Sequence, residues 1–358
     1  MADGGVKDLE ARTERGLTYP AFSIPQQSEA VQVAPGVLWL RLSLPMALDH
    51  VNIYAIEDGD GWAVIDTGMF NPETVEVFEK ILAGPLQGRP VTRVICTHMH
   101  PDHIGMAGWL CERFDAQLLM SRLEYFSARM LIGDEGKPAP MSGEVLYRAA
   151  GFSQAQLDQW RDKYGGFSSS VWPMPMGYTR LSEGDVIQIG GEDWRIVVGE
   201  GHSPEHVCLW RVSDGVFIAG DQILPRISSN ISIWVTEPLA DPLGDWLGSL
   251  ERLRDILPSD LFVLPAHGEP FYGVTTRLDA LLRGHEVALK RLERTLKTPS
   301  RAVDVFGALF ARPVGDNVLT LAVGESLAHL NYLEKLGRIR RERDAEGVDW
   351  WTVVEDAQ

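Results

Sequence analysis

Thr97-His98-Met99-His100-Pro101-Asp102-His103 follows directly on the apolar run Val91, Val94, Ile95. Three imidazoles and one carboxylate crowd into the stretch from His98 to His103, a spacing that can present four ligands to metal ions from one strand-to-helix turn. Val91 to Thr97 reads as a buried strand. From Ile104 to Phe114 apolar residues recur at helical spacing, which places the cluster just ahead of a helix N-terminus. Further candidate ligands lie on both sides. Asp66 stands upstream in Ile-Asp-Thr-Gly; downstream are His202 in Gly-Glu-Gly-His-Ser-Pro-Glu-His, Asp221 in Ala-Gly-Asp-Gln and His267 in Pro-Ala-His-Gly-Glu-Pro. The three downstream residues each sit at a strand end beside glycine, where the backbone can turn sharply while a sheet holds the side chain.

In this order Asp66, His98-Met99-His100-Pro101-Asp102-His103, His202, Asp221 and His267 resemble the five motifs of the metallo-β-lactamase-fold superfamily, over roughly residues 30 to 270. The resemblance implies an α+β fold, a four-layer αββα sandwich, and two divalent metal ions, Zn2+ first, with iron or manganese suited to the same donors. Carried over residue by residue, His98, His100 and His202 would bind one ion and Asp102, His103 and His267 the other. Asp221 would bridge both and Asp66 would hold the ligand loop, making Asp66, Asp102 and Asp221 the carboxylates on which catalysis rests. Two such ions lie roughly 3.5 to 4 Å apart in two-metal sites and lower the pKa of a shared water towards 7. The expected nucleophile is a metal-bridging hydroxide that attacks an acyl carbonyl, with Asp102 passing a proton to the departing atom.

The chain has 358 residues, 45% of them hydrophobic, enough for substantial cores. Its net charge of −17 repels polyanions, which argues against a general nucleic-acid or anionic-membrane binder. Cys96, Cys111 and Cys208 are odd in number and lie in apolar contexts, so buried free thiols are expected rather than a disulfide framework. The first thirty residues lack the apolar core of a signal peptide, and no stretch reaches membrane-spanning length; a cytoplasmic enzyme is the expectation.

The strand and helix rhythm divides the chain into a loose arm over residues 1–28, a catalytic domain over 29–297 and a small winged-helix-like module over 298–358. The last is expected as helices over Arg301–Phe310 and Leu319–Leu336 closing on a hairpin. A helical insertion over 119–175 breaks the strand series and is expected to act as a lid on an apolar pocket. Met130, Leu131, Trp160 and Trp172 either line that pocket or pack in the core, and Met69, Phe70 and Asn71 either floor it or pack. His206 reads as an outer hydrogen-bonding partner or a strand residue, and His50, His285 and His329 as structural or surface residues. Ser228, Ser229 and Asn230 either touch substrate or form an ordinary polar loop. The basic residues Arg277, Arg283, Lys290, Arg291, Arg294 and Lys297 either receive a substrate anion or form a solvated helix face.

Departures from family patterns narrow the substrate. Gln222-Ile223-Leu224-Pro225-Arg226 stands where glyoxalase II has its Gly-Cys-Gly-rich segment, and Leu224 where quorum-sensing lactonases place tyrosine. The expected function is hydrolysis of a small acyl compound, a thioester or ester before a lactone, with a homodimer as one use of the C-terminal module. The tail resembles the β-lactamase-like protein 2 group, which makes RNA cleavage the alternative, alongside a β-lactamase-like activity. The Arg338, Arg340, Arg341 and Arg343 cluster is interleaved with Glu342, Asp344, Glu346 and Asp349, which dilutes any field for phosphate.

Overall fold

A computed structural model describes residues 10–46 and 48–354. A seven-stranded sheet runs in chain order through Ala30–Ala34, Val37–Ser43, His50–Asp58, Gly61–Ile65, Val91–Ile95, Gln117–Met120 and Thr179–Arg180. Its first four strands are hairpin-linked and antiparallel, and the rest pair in parallel. The change of direction follows from the crossovers, since parallel neighbours need a long connection, supplied here by the helices Pro72–Ala83 and Ala107–Phe114. Pro72–Ala83 starts where the Asn71 side chain accepts the Thr74 N–H at 2.8 Å, with Pro72 in the first turn where its missing N–H costs nothing.

The second sheet has eight strands, ordered Arg12–Glu14, Leu17–Tyr19, Phe271–Tyr272, Phe262–Pro265, Val216–Gly220, His206–Arg211, Glu192–Gly199 and Val186–Ile189. The two sheets pack face to face through Trp39, Tyr54, Ile65 and Ile95 on one side and Trp194, Ile196, Leu209, Ile218 and Leu264 on the other. Alternate residues turn outward. Leu40, Val64 and Val94 meet Phe78, Ile81 and Leu110 of the helices over the seven-stranded sheet. Val197, Phe217 and Val263 meet Trp246, Leu250 and Leu278 of the helices Pro242–Ile256 and Val274–Thr295 over the other. Burial on both faces explains the near-continuous apolar strands, and the result is the expected αββα order.

The arm expected over residues 1–28 is corrected for its described part: Arg12–Glu14 and Leu17–Tyr19 form a hairpin at the edge of the eight-stranded sheet, with Leu17 and Tyr19 buried. Residues 1–9 of that arm lie outside the described residues, as do 355–358 of the tail. The insertion begins later than 119, because residues 117–120 are a strand paired in parallel with Val91–Ile95. Its helices then cross from one outer layer to the other: Tyr125 and Ala128 of Arg122–Ile132 pack over the seven-stranded sheet, whereas Tyr147 of Met141–Ala149 and Trp160 of Gln154–Lys163 pack over the eight-stranded one.

The helix expected over Arg301–Phe310 is two short pieces, Ala302–Asp304 and Phe306–Leu309. Asp304 turns back to accept the Arg301 N–H at 3.0 Å and its guanidinium at 2.7 and 2.8 Å, which closes the first turn on itself. The long helix Leu319–Lys335 and the hairpin of Ile339–Arg343 with Asp349–Val353 follow. Val323, Leu327, Leu330 and Trp351 belong to the same core as Phe217, Trp246 and Leu250, so these last elements share one apolar interior with the sandwich. Among the described residues no helix is long and apolar enough to cross a membrane.

All three thiols are free and buried, and loss of hydration raises each above its usual range, Cys111 to about 12. Native protein at pH 8 is therefore expected to resist iodoacetamide, with three alkylations appearing by mass spectrometry only after denaturation.

Candidate metal centre

Five strands deliver the candidate ligands to one edge of the sandwich. Gly61–Ile65 ends at Asp66, Val91–Ile95 leads to the His98–His103 turn, and Glu192–Gly199 leads to His202. Val216–Gly220 and its parallel neighbour Phe262–Pro265 end at Asp221 and His267. The edge is stitched across the two sheets: Asn52 Nδ2–H donates to the Pro265 and Gly268 carbonyls at 2.8 and 2.9 Å, and the Tyr54 hydroxyl donates to Pro265 O at 2.8 Å. Val207 N–H donates to Thr97 O at 2.8 Å. These bonds satisfy loop carbonyls that burial would otherwise leave unpaired.

The side chains converge. His98 Nε2, His100 Nδ1 and His202 Nε2 lie 2.8, 3.1 and 3.3 Å from one another. On the other side His103 Nε2 and His267 Nε2 each lie 3.5 Å from Asp102 Oδ2. Asp221 stands between the groups, with Oδ1 3.7 Å from His103 Nε2 and 3.4 Å from His267 Nε2, and Oδ2 3.4 Å from His202 Nε2.

The outer nitrogens are held by partners. Asp66 accepts the Thr97 N–H at 2.7 Å through Oδ1, and the Thr97 hydroxyl and His103 Nδ1–H, both at 2.8 Å, through Oδ2. Having given its proton to Asp66, the Thr97 hydroxyl accepts His98 Nδ1–H at 3.0 Å. His202 Nδ1–H donates to Asn230 O and His267 Nδ1–H to His50 O, each at 2.7 Å. These bonds orient the rings and turn the inner nitrogens of His98, His103, His202 and His267 towards the centre. Both Asp66 oxygens are thus engaged in holding the ligand turn; the residue sits at φ 59°, a left-handed backbone that costs a non-glycine residue energy and is retained here by its three hydrogen bonds.

His206 is one of the partners. Its ring stacks on His98 with centroids 4.7 Å apart, and its Nε2 accepts the Asp221 N–H at 3.0 Å. Gly220 makes room for it: at φ 52°, a Cβ there would stand 2.5 Å from His206 Cε1.

The electrostatics divide the centre. Burial and the neighbouring imidazoles hold His98 far below its usual range and His100 down to about 3, so both are neutral donors. Burial opposes charge on His103 and His267 as well, yet the carboxylates facing them win and raise both. Asp102, against its own desolvation, is drawn down to about 2 by His103, and Asp221 is drawn well below its range by His267 and His103. Positive charge is stabilised there by three carboxylates.

A cation fits what these residues leave unmet. His103 Nε2, His267 Nε2 and Asp221 Oδ1 are buried and find no hydrogen-bond partner among the described residues. The donors form three groups that could each hold an ion: His98, His100 and His202; His98, His103 and Asp221; Asp102, His103 and His267. Nitrogens bound at about 2.0–2.1 Å to one tetrahedral ion lie about 3.3 Å apart, close to the spacing of the first group.

Comparison with known proteins agrees with this geometry. Residues 46–267 match the metallo-beta-lactamase superfamily, and residues 289–354 match the metallo-beta-lactamase-like C-terminal domain. The chain belongs to the metallo-beta-lactamase superfamily. A beta-lactamase domain protein from Burkholderia ambifaria is similar in structure at a TM-score of 0.86 and 38% identity, covering 94% of this chain and 98% of that one. The probable metallo-hydrolase YqjP of Bacillus subtilis is 25% identical over 83% of this chain and 92% of its own length. More distant is an atrochrysone carboxyl ACP thioesterase of Aspergillus fumigatus, 23% identical over 70% of this chain and 45% of its own. The protein is a metallo-hydrolase whose His/Asp cluster can bind divalent metal.

Sequence reasoning missed Glu124, which this superfamily member buries completely in the insertion helix Arg122–Ile132. Its carboxylate accepts the Met99 N–H at 2.9 Å and the Glu205 N–H at 2.8 Å, tying the His98–His100 segment to the loop after His202. Burial raises its pKa while these donors oppose the rise. Its one sequence signal was an acidic residue in a helix first turn, which solvated helices share. Of the other candidates, Trp160 packs in the core, while Trp172 meets Phe70 edge-on beside the Asp66 loop, with centroids 5.2 Å apart. Arg277 spends its guanidinium on the Leu224 and Ile227 carbonyls, and Arg283, Lys290, Arg291, Arg294 and Lys297 are exposed.

Glu124→Gln retains one acceptor and turns an amide N–H towards a backbone N–H. A loss of about 1–3 kcal/mol is expected in urea unfolding, the cost of leaving one buried donor unpaired.

Proposed function

We propose that this metallo-hydrolase holds two divalent ions, Zn2+ foremost, and hydrolyses a small acyl substrate, a thioester or ester before a lactone. His98, His100 and His202 would hold one ion, Asp102, His103 and His267 the other, with Asp221 shared. The observation that carries a pair is Asp221, whose Oδ1 faces His103 and His267 while its Oδ2 faces His202. Divalent cations bound there would supply Lewis acidity, acidifying water towards neutral pH and polarising an acyl carbonyl oxygen.

The chain's own residues supply the rest. Asp66, Thr97, Asn230 and His50 orient the imidazoles through their outer nitrogens, so no reorganisation is needed when charge develops. Asp102, less enclosed than the histidines beside it, would take the proton from the attacking water and return it to the leaving atom. The insertion spans both outer layers across the ligand edge, and Phe70 with Trp172 offers an apolar wall for an acyl group.

Acyl hydrolysis is favoured over RNA cleavage by the state of the C-terminal arginines. Arg338, Arg340, Arg341 and Arg343 pair with Glu293, Glu342, Glu334 and Asp349 and leave little free charge for phosphate. A relative named as an acyl-carrier thioesterase supports the same choice. Leu224, where a lactonase-type tyrosine would stand, is buried and offers no hydroxyl, which supports a thioester or ester before a lactone. The module over 298–358 is read as a winged helix that serves packing, a cytoplasmic setting is consistent with the reduced thiols, and a homodimer through that module remains part of the proposal.

Purified protein loaded with Zn2+ is expected to contain two equivalents and to hydrolyse S-acyl glutathione or acyl-CoA in preference to lactone, β-lactam or single-stranded RNA. His98→Ala and Asp221→Ala should each lose metal and at least about 10²-fold in turnover. Turnover unchanged after chelation, or cleavage of RNA alone, would overturn the proposal.

A further inference from the structure

The C-terminal helix Leu319–Lys335 reaches the metal centre through a chain of hydrogen bonds. His202 Nδ1–H donates to the Asn230 carbonyl at 2.7 Å. The Asn230 side chain in turn donates through Nδ2–H to Glu325 Oε2 at 2.7 Å, while its Oδ1 accepts the Ser232 hydroxyl at 2.5 Å. The loop therefore has its orientation set from the helix side.

Two further observations show that the approach is built. Gly324 interrupts the helix interior, where glycine costs about 1 kcal/mol relative to alanine. A Cβ at this position would stand 2.8 Å from Ser232 Oγ and 3.0 Å from Ile233 O, and the Gly324 carbonyl accepts the Ile233 N–H at 3.0 Å. The helix is also keyed from behind. Trp246 Nε1–H donates to His285 Nε2 at 3.1 Å, His285 Nδ1–H to His329 Nε2 at 3.4 Å, and His329 Nδ1–H to the Glu325 carbonyl at 2.8 Å. Burial holds His285 down to about 3 and His329 to about 4, so both are neutral and the donor direction is fixed from Trp246 to the helix. The Trp246 indole can only donate, which sets the sense of the whole relay.

We propose that Glu325 is a positioning residue of the metal centre: its carboxylate anchors Asn230 and thereby holds the His202 imidazole in the orientation that the His98, His100, His202 group requires. The inference rests on the metal-binding proposal above. It assigns the C-terminal helix a part in metal affinity, in addition to its part in the core. Hydrogen-bond partners that orient a ligand typically contribute 10–100-fold to affinity.

The test is Zn2+ affinity by chelator competition on the full chain, read apart from turnover. Glu325→Ala is expected to weaken one of two Zn2+ equivalents by about tenfold or more. Glu325→Gln keeps an oxygen for the Asn230 N–H and is expected to stay within a few-fold of wild type. Asn230→Ala, which keeps the carbonyl that faces His202 but loses the link to Glu325, should reproduce the Glu325→Ala defect, and the double variant should add nothing. Asn230→Ala also carries the test if Glu325→Ala fails to fold. Asn331→Ala removes a different anchor of the same helix, its bonds to the Pro238 and Ala240 carbonyls, and should leave Zn2+ affinity intact. Wild-type affinity in Glu325→Ala and Asn230→Ala, additive losses in the double variant, or an equal loss in Asn331→Ala would each overturn the inference. Wild-type protein that binds no Zn2+ would instead overturn the metal-binding proposal.

Discussion

The metal centre depends on the registration of two sheets at one edge. Asn52 and Tyr54 of the seven-stranded sheet donate to carbonyls of the Pro265–Gly268 turn in the other, so His267 cannot be placed unless both sheets are formed and packed. The Thr97 carbonyl meets Val207 in the same way and ties the His98–His103 turn to the strand beginning at His206. Burial makes these bonds obligatory, because each carbonyl withdrawn from water needs a donor. A ligand set scattered from His98 to His267 is thereby held by a rigid framework, where loops alone would drift.

Once the edge is assembled, local chemistry decides protonation. Each imidazole except His100 gives its outer N–H to a fixed acceptor, whether carboxylate, hydroxyl or carbonyl. The inner atoms are left facing one another with too few protons to share. That arrangement is electrostatically costly by itself: buried carboxylates crowd one half and neutral nitrogens the other. It is stabilised by positive charge at the centre. The left-handed backbone of Asp66 belongs to the same economy of strain, since three hydrogen bonds to one carboxylate outweigh a local backbone penalty.

The fold and the assembly of the ligand side chains were legible because both are written in short-range patterns: apolar runs ending in glycine-flanked His or Asp, in a fixed order. What escaped is long-range. The hairpin at Arg12–Glu14 and Leu17–Tyr19 carries few apolar residues and gains its strand form by pairing with Phe271–Tyr272, more than two hundred positions away. Glu124 looks like any helix-start acid, and its role comes from two distant amides. His285 and His329 have no local motif, yet they link three helices through one directional relay. Polar residues that act through burial leave no periodic trace in a sequence, since the partners that satisfy them are set by tertiary packing.

The compactness of the His98–His103 stretch has a thermodynamic side. Four of the donors stay within a few residues of one another even when the sheets are undone, whereas His202, Asp221 and His267 are recruited only by the folded edge. An ion that binds both states stabilises the native one only by its preference between them, so any affinity of the open chain for metal subtracts from the stability that loading confers. The same local cluster that could gather an ion early therefore limits how far that ion can later protect the protein from unfolding.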